Sequence, residues 1–171
     1  MIVERHEAVV AATVIGMLGR GDDAEDVGQE TFIRFHGAMD RFREESSLKT
    51  YLVRIAMNLS LNALKRRRRG ALRFLSRDSA VGPLPEPPVL PVALDDGVER
   101  RAMVRRAVRM LSPRHQPVVV LRMLQNLSTK ETAHALGIPE GTVLSRLSRG
   151  MQELAVMLAP YMRDGALPED R

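Results

Sequence analysis

The sequence predicts an all-α protein: two small helical domains joined by a proline-rich linker, the second carrying a helix-turn-helix. Three observations lead there. Apolar residues recur at three- and four-residue spacings along most of the 171 residues, and no stretch reads as a convincing strand. Five prolines (Pro83, Pro85, Pro87, Pro88 and Pro91) fall within eleven residues near the middle of the chain. Proline lacks a backbone donor and favours extended geometry, so this stretch is a semi-rigid exposed spacer. Beyond it, a capping signal, a small residue and a turn glycine follow one another in the order a helix-turn-helix needs. The expected division is a first domain over residues 1–77, a linker over 78–97, a second domain over 98–162 and a polar tail over 163–171. The linker should leave the two domains free to move.

The first helix is expected over residues 3–18, ended by Gly19 and Gly21. Its apolar run at 8–19 lies behind Arg5 and His6 as a targeting signal would, but Glu4 and Glu7 spoil the positive flank. The run is also too short to span a bilayer, so it reads as a core helix. Asp22 or Asp23 is expected to cap a second helix over about 24–38, in which Phe32, Phe35, Met39 and Phe42 recur at core spacing. A third, longer helix should start at a Ser46 or Ser47 cap and continue to about Arg69, burying Leu48, Leu52, Ile55, Leu59 and Ala63.

After the linker, Val98, Val104, Val108 and Leu111 mark a helix, and Ser112-Pro113 reads as a cap with proline at the first helical position of the next. That helix should reach about Leu124. Pro117 within it removes a hydrogen bond and either kinks the first turn or moves the helix start. Ser128 and Glu131 then form a capping box, Ala133 is small enough for close packing, Gly137 makes the tight turn, and Ile138 and Val143 staple the two helices. From Glu140 the second of these helices is expected to expose Thr142, Ser145, Arg146 and Arg149, with Val143, Leu147, Leu154, Leu158 and Tyr161 inside.

Composition narrows the function. There is no cysteine, which removes disulfides, thiolate catalysis and cysteine-rich zinc sites and fits a reducing compartment, so a cytoplasmic protein with no membrane insertion is expected. The four histidines (His6, His36, His115, His134) are scattered and no catalytic constellation is visible, so neither an enzyme nor a metal or other cofactor is expected. The net charge of +5 is modest, but residues 61–77 hold seven Lys or Arg and no acid, and residues 98–163 hold eleven against four. Both halves therefore offer a polyanion a place to sit. The outer face of the third helix carries Arg54, Asn58, Asn62, Lys65, Arg66 and Arg69. Amides of this kind hydrogen-bond base edges and the cations hold phosphates.

Three segments taken together carry a resemblance. Asp22-Asp23-Ala24-Glu25-Asp26-Val27-Gly28-Gln29-Glu30-Thr31-Phe32, then Arg54-Ile55-Ala56-Met57-Asn58-Leu59, then Gly137-Ile138-Pro139-Glu140-Gly141-Thr142-Val143 with Ser145-Arg146-Leu147, resemble an extracytoplasmic-function sigma factor of bacterial RNA polymerase. The resemblance implies a sigma region 2-like bundle followed by a region 4-like helix-turn-helix. It implies core RNA polymerase as partner, through the beta-prime clamp and the beta flap, together with promoter DNA and an anti-sigma factor. Asp22, Asp26, Gln29 and Glu30 would face the clamp, and their spacing of three and four puts them on one helix side. The Asn58 and Asn62 face and the loop at 43–47 would meet the melted minus-ten strand. Ser145 and Arg149 match positions that touch minus-thirty-five bases, with Arg146 on phosphate or in a structural contact. The chain departs from the family at Gly28, where a hydrophobic residue is common, at His36 and Tyr51, where tryptophan is, and at Asn62, where aspartate is. Leu144 stands in place of a usual cation, Ser148 in place of a His or aromatic residue, and Pro117 in place of a helix-friendly residue. A free-standing helix-turn-helix regulator would leave the acidic stripe and the Asn-bearing basic helix unexplained.

Overall fold

A computed structural model describes residues 2–39, 47–75 and 96–163 of the chain, with side chains placed at 2–39, 47–70 and 100–161. The five linker prolines, Phe42 and residues 43–46 of the expected minus-ten loop at 43–47, Ser46 among them, lie outside the described residues. Among the described residues there is no strand.

Helices α1 (Ile2–Leu18), α2 (Asp22–Ala38) and α3 (Leu48–Leu75) pack against one another. The second half of α1 supplies Val10, Val14, Met17 and Leu18 to the core. Gly19 and Gly21 then take φ of 84° and 133°, backbone that side chains disfavour, which ends α1 and turns the chain. Gly21 is itself the residue before α2 and offers no side chain, so the expected aspartate cap is replaced: Asp22 and Asp23 lie inside the first turn, where their charge suits the helix N-terminus. Ala24, Val27 and Phe35 of α2 are buried and Phe32 packs against the core. Met39 is 45% exposed, contrary to its expected core place, because it follows the end of α2.

Ser47 does cap α3, accepting a hydrogen bond from the Thr50 N–H at 3.1 Å. The helix runs to Leu75, beyond the expected end near Arg69. Its buried arc is also wider than one stripe: Leu52, Val53, Ala56, Met57 and Ser60 are all fully buried. The reason is tertiary, since α3 is covered by α1 and α2 and also by a helix from the second half of the chain.

That half consists of α4 (Asp96–Met110), α5 (Gln116–Val119), α6 (Thr129–Leu136) and α7 (Glu140–Arg163), with α5 continuing into a π-helical stretch (Val120–Leu124). Pro117 decides where α5 starts. The Ser112 carbonyl accepts from the N–H groups of His115 and Gln116 at 3.0 Å each, making a turn, and the helix begins at Gln116 with Pro117 in its first turn, where a missing N–H is harmless. The expected Pro113 start is thereby corrected. In the π stretch the Gln125 N–H reaches back five residues to the Val120 carbonyl at 3.1 Å.

The two halves share one continuous core, from Val10, Val14 and Met17 through Leu52 and Met57 to Val119, Val120, Leu121 and Leu154. Independent domain motion was the expectation; here the described residues of the two halves pack directly. Two features make this possible. A Cβ on Gly16 would stand 3.2 Å from side chains of Val120 and Leu124, so only glycine lets α1 approach the π stretch this closely without a shift. Carbonyls in the last turn of a helix have no partner of their own. Those of Gly16 and Met17 accept from the buried Gln116 Nε2, at 3.2 and 3.0 Å.

Candidate nucleic-acid and polymerase interface

The helix-turn-helix forms by local chemistry. The Glu131 N–H donates to Ser128 Oγ at 3.1 Å and the Ser128 N–H donates to Glu131 Oε2 at 2.8 Å, closing the capping box. Gly137 takes the left-handed conformation (φ 63°, ψ 38°) that ends α6. Val118, Ala133 and Val143 are buried together with Leu136, Ile138 and Leu147 around them, which fixes α7 across α6. Gly150 sets the second crossing. A Cβ there would meet Val119 Cγ2 at 2.7 Å and His115 Cβ at 3.2 Å, so α7 touches α5 where only hydrogen fits. One turn on, Glu153 accepts from the Ser112 N–H at 3.1 Å and pairs with His115 Nδ1 at 2.7 Å. The Ser112 N–H first, and then His115, hold the Glu153 carboxyl below the usual carboxylate range.

Anchored in this way, α7 turns Ser145 and Arg149 to solvent, with Thr142 and Arg146 half-buried beside them. Ser145 Oγ donates to the Thr142 carbonyl at 3.1 Å. Leu144 on the same turn is 55% exposed, so a substitution there meets solvent and not core. Tyr161, expected inside, is 58% exposed near the end of the helix.

On α3 the six expected side chains, Arg54, Asn58, Asn62, Lys65, Arg66 and Arg69, are all exposed, but they do not form one surface. The first turns face the helix-turn-helix. Lys49 Nζ donates to the Gln125 carbonyl at 3.0 Å, Thr50 Oγ1 donates to Glu131 Oε1 at 3.1 Å, and Arg54 Nη1 lies 3.5 Å from His134 Nε2. Glu131 therefore serves both the cap and this contact. Its carboxyl is held below the usual range by the Ser128 backbone N–H first, then the Ser128 hydroxyl, with smaller help from Thr50 and Lys49 and against desolvation. Further along, Arg66 leans to the acidic side, lining a groove of about 390 Å³ with Asp26, Gln29, Glu30 and Ile33.

In the acidic stripe itself, Asp22, Asp26 and Gln29 are exposed. Glu30 is half-buried and paired with Arg34 at 2.7 Å, which sets a cation beside the stripe. The sequence reading missed Arg67, which pairs with Asp23 at 2.5 Å and ties α3 to the start of α2. It also missed Gln116, Lys49, Thr50 and Gly150; none belongs to a motif, and their roles depend on which helices meet. Among the described residues there is no cluster of His, Asp and Glu that could hold a metal ion, and no helix long and apolar enough to cross a membrane.

Comparison with known proteins agrees with this architecture. Residues 2–70 match the sigma-70 region 2 family model and residues 101–154 the sigma-70 region 4 model. The chain is 31% identical to the ECF RNA polymerase sigma-E factor of Salmonella typhimurium, across 95% of this chain and 87% of that protein. It is 29% identical to the ECF sigma factor SigW of Bacillus subtilis, across 92% of this chain and 87% of that one. Among solved structures, the sigma factor RpoE of Bartonella quintana, in complex with the anti-sigma factor NepR, superposes with a TM-score of 0.68 at 23% identity, covering 92% of this chain and 94% of that one. With both halves matched in order, and a relative of this identity covered almost end to end, the chain belongs to the extracytoplasmic-function sigma factors of bacterial RNA polymerase.

Proposed function

We propose that this sigma factor directs promoter-specific initiation through three surfaces. Asp22, Asp26, Gln29 and Glu30 dock on a basic face of core polymerase, the beta-prime clamp. Asn58, Asn62, Lys65 and Arg69, with Arg54 and Arg66 at the margins, capture the minus-ten strand as it leaves the duplex, and energy from extruded bases and phosphates offsets unstacking. Thr142, Ser145, Arg146 and Arg149 read the minus-thirty-five duplex, and the second half of the chain also meets the beta flap. The nucleotidyl transfer belongs to the polymerase; this chain binds and positions. It acts where the polymerase is, in the cytoplasm, and an anti-sigma factor is its expected antagonist, as the NepR complex is for the Bartonella protein.

The observation that carries this reading is the outward face of α7: the second helix of a capped helix-turn-helix, held at Val143 and Gly150, with Ser145 and Arg149 one turn apart and exposed. Run-off transcription with core enzyme over a promoter library tests it. The wild-type chain should select promoters sharing two boxes, and Asp26→Arg should lose core binding with its helicity intact, because like charges facing each other at an interface cost several kcal/mol. Normal core affinity in folded Asp26→Arg would refute the docking assignment.

A further inference from the structure

Arginines from both halves of the chain converge on one cleft. Arg68 near the end of α3, Arg114 in the turn before α5, and Arg146 and Arg149 on α7 line an opening of about 720 Å³, and no carboxylate lines it. None of the four guanidinium groups has an ion pair among the described residues. Ser112 lines the same cleft, and its buried Oγ has no hydrogen-bond partner. A concave site walled by one sign of charge focuses its field and concentrates counter-ions. Arg68 belongs to this wall because the halves are packed together, through the fit at Gly16, the Gln116 hydrogen bonds and the contacts of Lys49 and Thr50 with the second half.

The ligand class follows from size and lining. Duplex DNA would take the whole exposed face of α7 and not this opening, since a single helix fills the major groove, about 12 Å wide; Arg68 of α3 stands across the opening from that face. The volume instead falls in the range of small-ligand sites, about 300 to 1,000 Å³. No Phe, Tyr or Trp lines the cleft to hold a base or an apolar group. Guanidinium forks match phosphate oxygens two by two, and several forks set apart suit a chain of phosphoryl groups better than one carboxylate. We propose that the cleft between Arg68 and the Arg114, Arg146 and Arg149 cluster binds a short phosphoryl chain, which bridges the two halves and, once bound, covers the recognition face of α7. The effect on DNA rests on the reading of Ser145 and Arg149 as minus-thirty-five contacts; the binding itself does not.

Calorimetric titration of the full chain with inorganic tripolyphosphate is the direct test. Wild type should bind saturably, Arg68→Ala and Arg114→Ala should each weaken binding about tenfold, and Arg101→Ala on α4, exposed and outside the cleft, should change it less than about twofold. Equal weakening by all three, or no saturable binding, overturns the site. A nucleoside triphosphate binding as tightly as tripolyphosphate identifies the phosphoryl chain as the recognised part; binding that requires the nucleoside overturns a base-free site. In a second arm, tripolyphosphate should lower the affinity of wild type for a minus-thirty-five duplex, and should inhibit Arg68→Ala, which keeps Ser145 and Arg149, only at about tenfold higher concentration. Inhibition of both proteins alike would overturn the bridging of the halves. If wild type binds tripolyphosphate as expected yet no promoter duplex, the promoter reading fails and the anion site stands.

Discussion

Helices α3 and α7 carry comparable side chains on their outer faces, cations beside amides on one and cations beside hydroxyls on the other, yet they are presented in different ways. The bare face of α7 is fixed within its own half of the chain, by Val143 against α6, Gly150 against α5 and Glu153 against Ser112 and His115. The face of α3 is divided by the other half: Lys49, Thr50 and Arg54 meet Gln125, Glu131 and His134, and only the residues from Asn58 onward stand clear. Recognition by α7 is therefore a property of a small local fold. Access to the start of α3 is a property of how the halves pack.

Substitutions that act on one helix and not the other sharpen this difference, and the largest effect is expected at Gly150. Gly150→Val puts side chain where a Cβ alone would already stand 2.7 Å from Val119, and overpacking of a tight contact costs about 3 kcal/mol at the upper end. Chemical denaturation should show that loss. Binding to a minus-thirty-five duplex should fall with it, while a pre-melted minus-ten template in complex with core enzyme remains bound through α3. If duplex binding survives, α7 is not positioned by its crossing with α5.

Gln116→Ala is the complementary test. It leaves the Gly16 and Met17 carbonyls buried without their donor, at a cost of about 2 kcal/mol. The loss falls on the seam between the halves, so α7 and its duplex affinity should be preserved. Small-angle scattering should show a larger mean dimension, and hydrogen exchange should rise at the start of α3. An unchanged dimension with equal destabilisation would mean that the other contacts of the seam, at Gly16, Val120 and Leu124 and at Lys49 and Thr50, hold it without Gln116.

The same division explains what could be read from the sequence. The Ser128–Glu131 box, the Gly137 turn and the exposure of Ser145 and Arg149 on α7 were legible because neighbours within a few residues determine them, whereas Thr142 and Arg146 are half-buried. The Ser47 cap and most of the α3 stripe were legible for the same reason. Gly21 took the cap position expected of an aspartate, since a φ of 133° suits glycine and not its neighbours. Pro117 left two outcomes open, and the Ser112 turn selected a later start. Met39 and Tyr161 occupy apolar positions near helix ends and are exposed, which periodicity alone cannot show. The contact of Arg54 with His134 and the convergence of Arg68 with Arg114, Arg146 and Arg149 follow from packing between segments far apart in the sequence, and no local pattern encodes it.

The smallest expected effect separates the two duties of Glu131, which accepts from its own helix start and from Thr50 of α3. Because its folded pKa is depressed, its contribution is fully present above the ordinary carboxylate pKa, about 4.3, and is lost as pH falls through that value and then through the lower folded one. Ser128→Ala, which removes the hydroxyl side of the box, should cost about 1 kcal/mol. Thermal melts between about pH 3 and pH 7 should show that Glu131→Gln flattens part of the acid-side loss of stability. Thr50→Val should leave most of that slope in place, because the Ser128 N–H is the larger cause of the depression. Should Thr50→Val flatten the slope as fully as Glu131→Gln, the carboxylate would be held by the packing of the halves and not by its own cap, and the separation drawn between a locally set α7 and a packing-dependent α3 would fail at this residue.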